Sequence, residues 1–146
     1  MSALFEIVYV SQASAELLPG ELFQILEAAR RNNSRKQITG LLLSDGACFM
    51  QILEGGEAAI DTTFNRIRTD KRHHDVRVLR RGPIESRAFS EWAMGSVQLE
   101  RFRDHVPGLK QIREILARSD ASFERVRGFI SDFQRGRFSE CAEKPD

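Results

Sequence analysis

From residue 38 to residue 54 the chain alternates in a way only a hairpin satisfies. Two β-prone runs, 38–43 and 47–54, flank Ser44-Asp45-Gly46. Asp-Gly between hydrophobic runs is the strongest short-range signal for antiparallel pairing. Side chains alternate along a strand, so Phe49, Gln51 and Leu53 share one face while Cys48, Met50 and Ile52 share the other. Gln51 therefore breaks an apolar row. A buried amide without partners costs about 1 to 3 kcal/mol, so a polar group is expected to meet it.

The same reading extends in both directions. Leu4 to Val10 predicts a first strand, with Phe5, Ile7 and Tyr9 on one face and Leu4, Glu6, Val8 and Val10 on the other. Ser11 to Gly20 reads as a loop. Leu22, Ile25, Leu26 and Ala29 then recur at helical spacing and predict a helix over 20–32, closed by Asn32-Asn33, whose amides project beside its last turn. After the hairpin, Gly55-Gly56 permits a sharp exit, and Ile60, Phe64 and Ile67 mark a second helix over 57–69. Val76, Val78 and Leu79 suggest a fourth strand ended by Gly82-Pro83, and a fifth candidate runs from Trp92 to Leu99.

The order β-α-β-β-α-β-β predicts an α+β fold, a ferredoxin-like sandwich with two helices on one sheet face. Val8, Val10, Met50 and Ile52 leave the other face apolar as well. Leu109, Ile112 and Leu116, then Phe123, Val126, Ile130 and Phe133, recur at helical spacing within 108–134. These C-terminal helices are expected on the second face or at a subunit interface. The resulting division is a core over 1–99, a C-terminal helical cap or output segment over 100–135, and a flexible tail over 136–146.

Composition narrows the function classes. The 146 residues suit one domain, and 22 basic against 21 acidic side chains nearly cancel, so the overall field favours neither nucleic acid nor an anionic membrane. Cys48 and Cys141 form neither a disulfide framework nor a metal-ligand spacing and are expected as reduced thiols. Met1 to Val10 lacks a basic leader and carries Glu6, so the expected compartment is the cytoplasm. Glycine-rich nucleotide loops, H-E-x-x-H and paired C-x-x-C are absent, and no nucleophile and base pair is recognisable, which argues against a hydrolase. Adjacent His73-His74 point about 100 degrees apart on a helix and attract no converging ligand set, so no metal is expected. Lys71, Arg72, Arg77, Arg80 and Arg81 could contact phosphates, which keeps open a light-independent interaction module binding RNA through 71–81. Asp70, Asp75 and Glu85 dilute that charge, and the central strands lack a base-stacking aromatic platform.

Tyr9, Asn33, Gln51 and Met94, with Trp92 nearby, form the stronger constellation. In the proposed topology the first and third strands are central neighbours, so Tyr9 and Gln51 lie side by side on the helix-facing surface, with Asn33 entering from the first helix. Periodicity leaves two readings open, a satisfied polar network in a core or a neutral hydrogen-bonding site.

The strand ending in Tyr9, Asn32-Asn33, Ile38-Thr39-Gly40, Phe49-Met50-Gln51-Ile52-Leu53-Glu54-Gly55, Asp70-Lys71-Arg72-His73 and Phe89-Ser90-Glu91-Trp92-Ala93-Met94 together resemble the BLUF family, sensors of blue light using FAD. The resemblance spans residues 4 to about 99. It implies noncovalent FAD, with the isoalloxazine ring between the two helices and no substrate turnover. It further implies that Tyr9 is the photochemical electron and proton donor and that Gln51 bridges this tyrosine to the flavin. Asn33 matches the asparagine on the ring's pyrimidine edge, with Asn32 a second polar contact. Ile25 and Ile67 match residues flanking the ring, and Arg35, Arg72 and His73 are cofactor-side contacts. Trp92 and Met94 fall on the last-strand pair placed in or out against the flavin, and Ala29 stands where a serine sometimes occurs. Output is expected through a separate effector protein, with a homo-oligomer as the working form.

Overall fold

The computed structural model describes residues 3–14, 28–29, 31–44, 48–90, 95–98, 109–110 and 117–137. Six strands form one sheet: β1 (Leu4–Ala13), β2 (Thr39–Ser44), β3 (Cys48–Gly56), β4 (His73–Ile84), β5 (Gly95–Gln98) and β6 (Leu109–Lys110). Among the described residues three helical stretches accompany them: α1 (28–29 and 31–36), α2 (Glu57–Arg68) and α3 (Ala121–Gln134). The spatial order is β4-β1-β3-β2-β5-β6. Strands β4, β1, β3 and β2 pair antiparallel, the ferredoxin-like arrangement, while β5 runs parallel to β2 and β6 parallel to β5. The turn at 45–47 lies outside the described residues, but β2 and β3 pair as a hairpin requires, with Ser44 opposite Phe49.

Alternation builds two cores. Ile7, Tyr9, Ile38, Leu42, Phe49, Leu53 and Ile60 share a cluster on the face of α2. Val8, Val10, Leu41, Leu43, Met50 and Ile52 point the other way and cluster with Phe123, Val126, Ile130 and Phe133 of α3. Those four residues of α3 recur at i, i+3, i+7 and i+10, a single helical stripe. Its N-terminus is capped by Asp120, whose side chain accepts from the Phe123 amide.

Three expectations are corrected. The first helix does not close at Asn32-Asn33 but runs one turn further, to Lys36. It ends where Gln37 takes a left-handed conformation at φ 57, the Ile38 amide donates to the Asn33 carbonyl at 2.9 Å and the Gln37 amide to that of Ser34 at 3.4 Å. That paired pattern satisfies the last carbonyls and stops the helix without glycine. Strand β4 passes through Gly82-Pro83 rather than breaking there, because it is the sheet's outer strand on that side and a proline needs no ladder donor at an edge. Leu109 pairs as a strand with Ser96 instead of opening a helix, since the open edge of β5 offers backbone partners that a helical pattern cannot anticipate. Residues 111–116, including Ile112 and Leu116, lie outside the described residues.

Gly40 lies on β2 beside β3, and a Cβ there would collide with the backbone carbonyl of Ile52. Backbone cannot move aside as a side-chain tip can. Gly40→Ala should therefore cost about 3 kcal/mol, seen as a lower urea midpoint without loss of slope.

Candidate cofactor site

Between α1 and α2, above the sheet, lies a cleft whose wall is built from four places in the chain. Ala28, Ala29, Asn32 and Asn33 come from one face of α1; Thr63, Arg66 and Ile67 come from α2; Tyr9, Leu42, Phe49 and Gln51 form the floor; Asp70, Arg72 and His73 stand on the segment leading into β4. Small alanines on one helix and Ile67 on the other leave a flat apolar slot. The polar groups gather along its floor and at the end of α1.

Register brings the central pair together, since Tyr9 is the direct cross-strand partner of Gln51. The Tyr9 hydroxyl donates to Oε1 of Gln51, and both side chains are buried. A carboxamide carries its donor and acceptor at opposite corners, so with Oε1 on the phenol its Nε2 lies on the side away from Tyr9. Burial pushes the Tyr9 phenol well above its ordinary value near 10.0, and the carboxylate of Asp70 adds to the rise. Tyr9 thus stays protonated. The Phe64 ring packs against it at 5.4 Å between centroids, excluding water from that side.

The entrance is held by hydrogen bonds. His73 approaches the Ile67 carbonyl through Nε2 at 2.6 Å, so Nε2 carries hydrogen, while Nδ1 meets the Ser11 hydroxyl at 2.7 Å. One ring therefore ties the end of α2 to β1. His74 instead meets Ser14 and Asp75. Arg72 donates from Nε to both oxygens of Asp70 at 3.0 and 3.1 Å, and this hydrogen bonding holds the Asp70 carboxyl below the usual carboxylate range. Arg81 pairs with Asp61 and Glu57, and Arg80 with Glu6, so much of the positive charge expected to face RNA is already engaged by the protein.

Of the residues singled out from the sequence, Tyr9, Gln51, Asn33, Asn32, Ile67, Arg72 and His73 line the cleft. Arg35 is exposed on α1 and is not among the lining residues. Ile25, Trp92 and Met94 lie outside the described residues. Thr63, Arg66 and Asp70 line the cleft without having been singled out as site residues. Thr63 sits at i−4 from Ile67 and Arg66 at i+3 from Thr63, so the helical face assigned through Ile67 could have revealed Thr63 and, through it, Arg66.

A sequence model of the family described as sensors of blue-light using FAD, BLUF, matches residues 4–95. The chain belongs to the BLUF family. Among curated relatives, photoactivated adenylate cyclase subunit beta of Euglena gracilis is 35% identical over 84% of this chain and 14% of its own length. The corresponding subunit of Euglena longa is 36% identical over the same shares. This chain thus spans only a small part of those relatives. A solved structure described as BlrB, a BLUF protein in its dark state, matches with TM-score 0.67 and 28% identity over 96% of this chain and 98% of that one. The BLUF domain of BlrP1 matches with TM-score 0.71 and 30% identity over 91% and 93%.

BLUF domains are sensor modules that bind FAD, and the residues present fit that group. Apolar walls suit a flat ring, the asparagines and Gln51 offer donors and acceptors to its polar edge, and Arg66 brings positive charge for the phosphates, Arg72 being paired with Asp70. Thr63 adds a sharper sign. Its side chain is buried in the cleft wall, and among the described residues its Oγ1 finds no hydrogen-bond partner. A hydroxyl left so costs stability until a ligand atom meets it. No helix among the described residues is long and apolar enough to cross a membrane.

Two outcomes are expected. Because the folded-state pKa of Tyr9 is raised, its contribution to stability is complete below the unfolded value near 10.0 and falls away as pH rises above it. Tyr9 is the single tyrosine, so tyrosinate absorbance in an alkaline titration should appear only together with unfolding. Thr63→Val removes the orphaned hydroxyl, so it should stabilise the apoprotein in a thermal melt while weakening FAD about two- to tenfold by fluorescence titration.

Proposed function

We propose that light is recorded in the hydrogen bond between Tyr9 and Gln51 and passed from there to a separate effector protein. The observation that supports this reading is the buried phenol-to-amide hydrogen bond on the floor of the cleft, at the register position where β1 and β3 are direct partners. FAD, when bound, supplies the absorption of blue light and the acceptor for an electron. Tyr9 would donate that electron and, through Gln51, the Oη proton, which enters the amide at Oε1 as another leaves from Nε2. Both return in recombination. The Gln51 amide stays rearranged, because rotation or tautomerisation exchanges which corner faces Tyr9. Asn33 and Asn32 hold the pyrimidine edge, Ile67 and Ile25 flank the ring, and Arg72, His73 and Arg35 act on the cofactor's outer side. Trp92 and Met94 answer the change in Gln51.

Magnitudes set what this can achieve. One exchanged hydrogen bond offers about 0.5 to 1.5 kcal/mol, whereas driving a partner equilibrium from 1:99 to 99:1 takes roughly 5.5 kcal/mol. The signal must be amplified by repacking beyond the cleft, through β5 and the C-terminal region, and oligomerisation would add contacts. The relatives named as photoactivated cyclases carry the sensor in a much longer chain. Here the output is assigned to a partner in trans.

An absorption spectrum taken dark, after blue light and after dark recovery tests the reading. A structured flavin band should move reversibly to the red without bleaching, and Tyr9→Phe should abolish the shift while FAD stays bound. A full photocycle in that variant would remove Tyr9 from its role.

A further inference from the structure

Opposite the cleft, the sheet buries two carboxylates side by side. Glu6 on β1 and Glu54 on β3 are direct cross-strand partners, and both are 0% exposed. Like charges so placed repel, and neither has water to screen it. Their counter-charge comes partly from Arg80, 3.4 Å from Glu6, and mainly from α3. Arg125 Nε lies 2.8 Å from Oε2 of Glu6, and its Nη2 lies 3.8 Å from Oε2 of Glu54. A residue 119 positions away in sequence thus bridges the pair.

Glu54 has a second set of partners. Its carboxylate accepts from the backbone amides of Ala88 at 2.9 Å and Phe89 at 2.7 Å, and from the Thr39 hydroxyl at 2.9 Å. Arg87 locks the same place, donating to the Glu54 carbonyl at 3.0 Å and to that of Gln37 at 2.7 Å. The Phe89 ring meets Phe123 of α3 edge-on at 6.2 Å. Glu54 stands three residues beyond Gln51 on β3, and Ala88-Phe89 lead directly into the sequence that carries Trp92 and Met94.

We infer that Glu54 is a positioning residue for the segment entering Trp92 and Met94, and that Arg125, hydrogen-bonded to Glu6 and facing Glu54 at longer range, is the latch through which the buried carboxylate pair holds α3. Three elements meet on that pair: the strand of Gln51, the 88–89 segment, and the C-terminal helix. Displacing Ala88 and Phe89 strips two N–H donors from Glu54 and leaves its carboxylate more dependent on Arg125, so a shift of the segment is felt at the helix. The light-dependent part of this inference rests on the photoreceptor reading above; the latch itself exists in the dark.

Hydrogen exchange of α3 peptides, measured by mass spectrometry on the full FAD-loaded chain dark and lit, separates the two, with absorption recorded on the same samples. In the dark, Arg125→Gln should speed α3 exchange about 10- to 100-fold while the flavin band stays in place. Adding Glu6→Gln removes one buried charge and should recover part of that protection, which loss of packing alone would not allow. Any light-induced change in α3 exchange in the wild type should vanish in Arg125→Gln with the red shift retained. Should Arg125→Gln not fold, Arg125→Lys keeps the charge without the planar fork and should show a smaller rise. Glu54→Gln presents a donor to one of two amides and should change the dark-recovery rate about fivefold with FAD affinity unaltered. Unchanged dark exchange in the Arg125 variant overturns the latch, and unchanged recovery in Glu54→Gln overturns the positioning role. A wild type without a red shift overturns the photoreceptor reading instead, and the dark comparison still decides the latch.

Discussion

A phenol and a carboxamide face each other across the two middle strands, and neither can be buried without the other. That mutual requirement sets the register of β1 on β3. A slip of one residue would carry Gln51 to the α3 face and bring Met50 into the cleft, exposing an amide to an apolar core and leaving the Tyr9 hydroxyl without its acceptor. The alternating aliphatic residues on both strands guard against the slip, since Val8, Val10, Met50 and Ile52 would all lose their burial together. The site is thus held in place by the core behind it.

The two faces of the sheet use different chemistry. On the cleft side the central groups are neutral, with charges confined to the rim at Arg66, Asp70 and Arg72. Neutral hydrogen bonds can be exchanged for roughly 1 kcal/mol, which suits a site whose state must change and return. On the α3 side two buried carboxylates face Arg80 and Arg125, and Glu54 accepts three further hydrogen bonds. Breaking one partner away from a buried charge costs several times more, which suits a place that must hold its shape or give way as a unit. Strand β3 carries both kinds, with Gln51 on one face and Glu54 on the other.

On the reading proposed above, that division lets a small event in the cleft have a distant consequence. Gln51 and Glu54 share a rigid strand, and Glu54 in turn holds the amides of Ala88 and Phe89. The α2 end is fixed differently: His73, between the Ile67 carbonyl and Ser11, braces that wall of the cleft.

Alternation and turn chemistry, both local, were enough to assign the hairpin, the two faces of β1 and β3, the meeting of Tyr9 with Gln51, and the entry of Asn33 from the first helix. They work because a strand's period and a helix's period are written into consecutive residues. The true end of α1 was not legible: it depends on a left-handed Gln37 and on which carbonyls the following amides reach. Nor was the passage of β4 through Pro83, which is tolerable only because that strand lies at an edge. The orphaned hydroxyl of Thr63 and the Glu6, Glu54 and Arg125 cluster were invisible for a deeper reason. Whether a buried polar group is satisfied depends on partners brought from far along the chain, and charge pairing across such distances has no period to read. Residue order determined which side chains face which way; only the packed structure decided which of them meet.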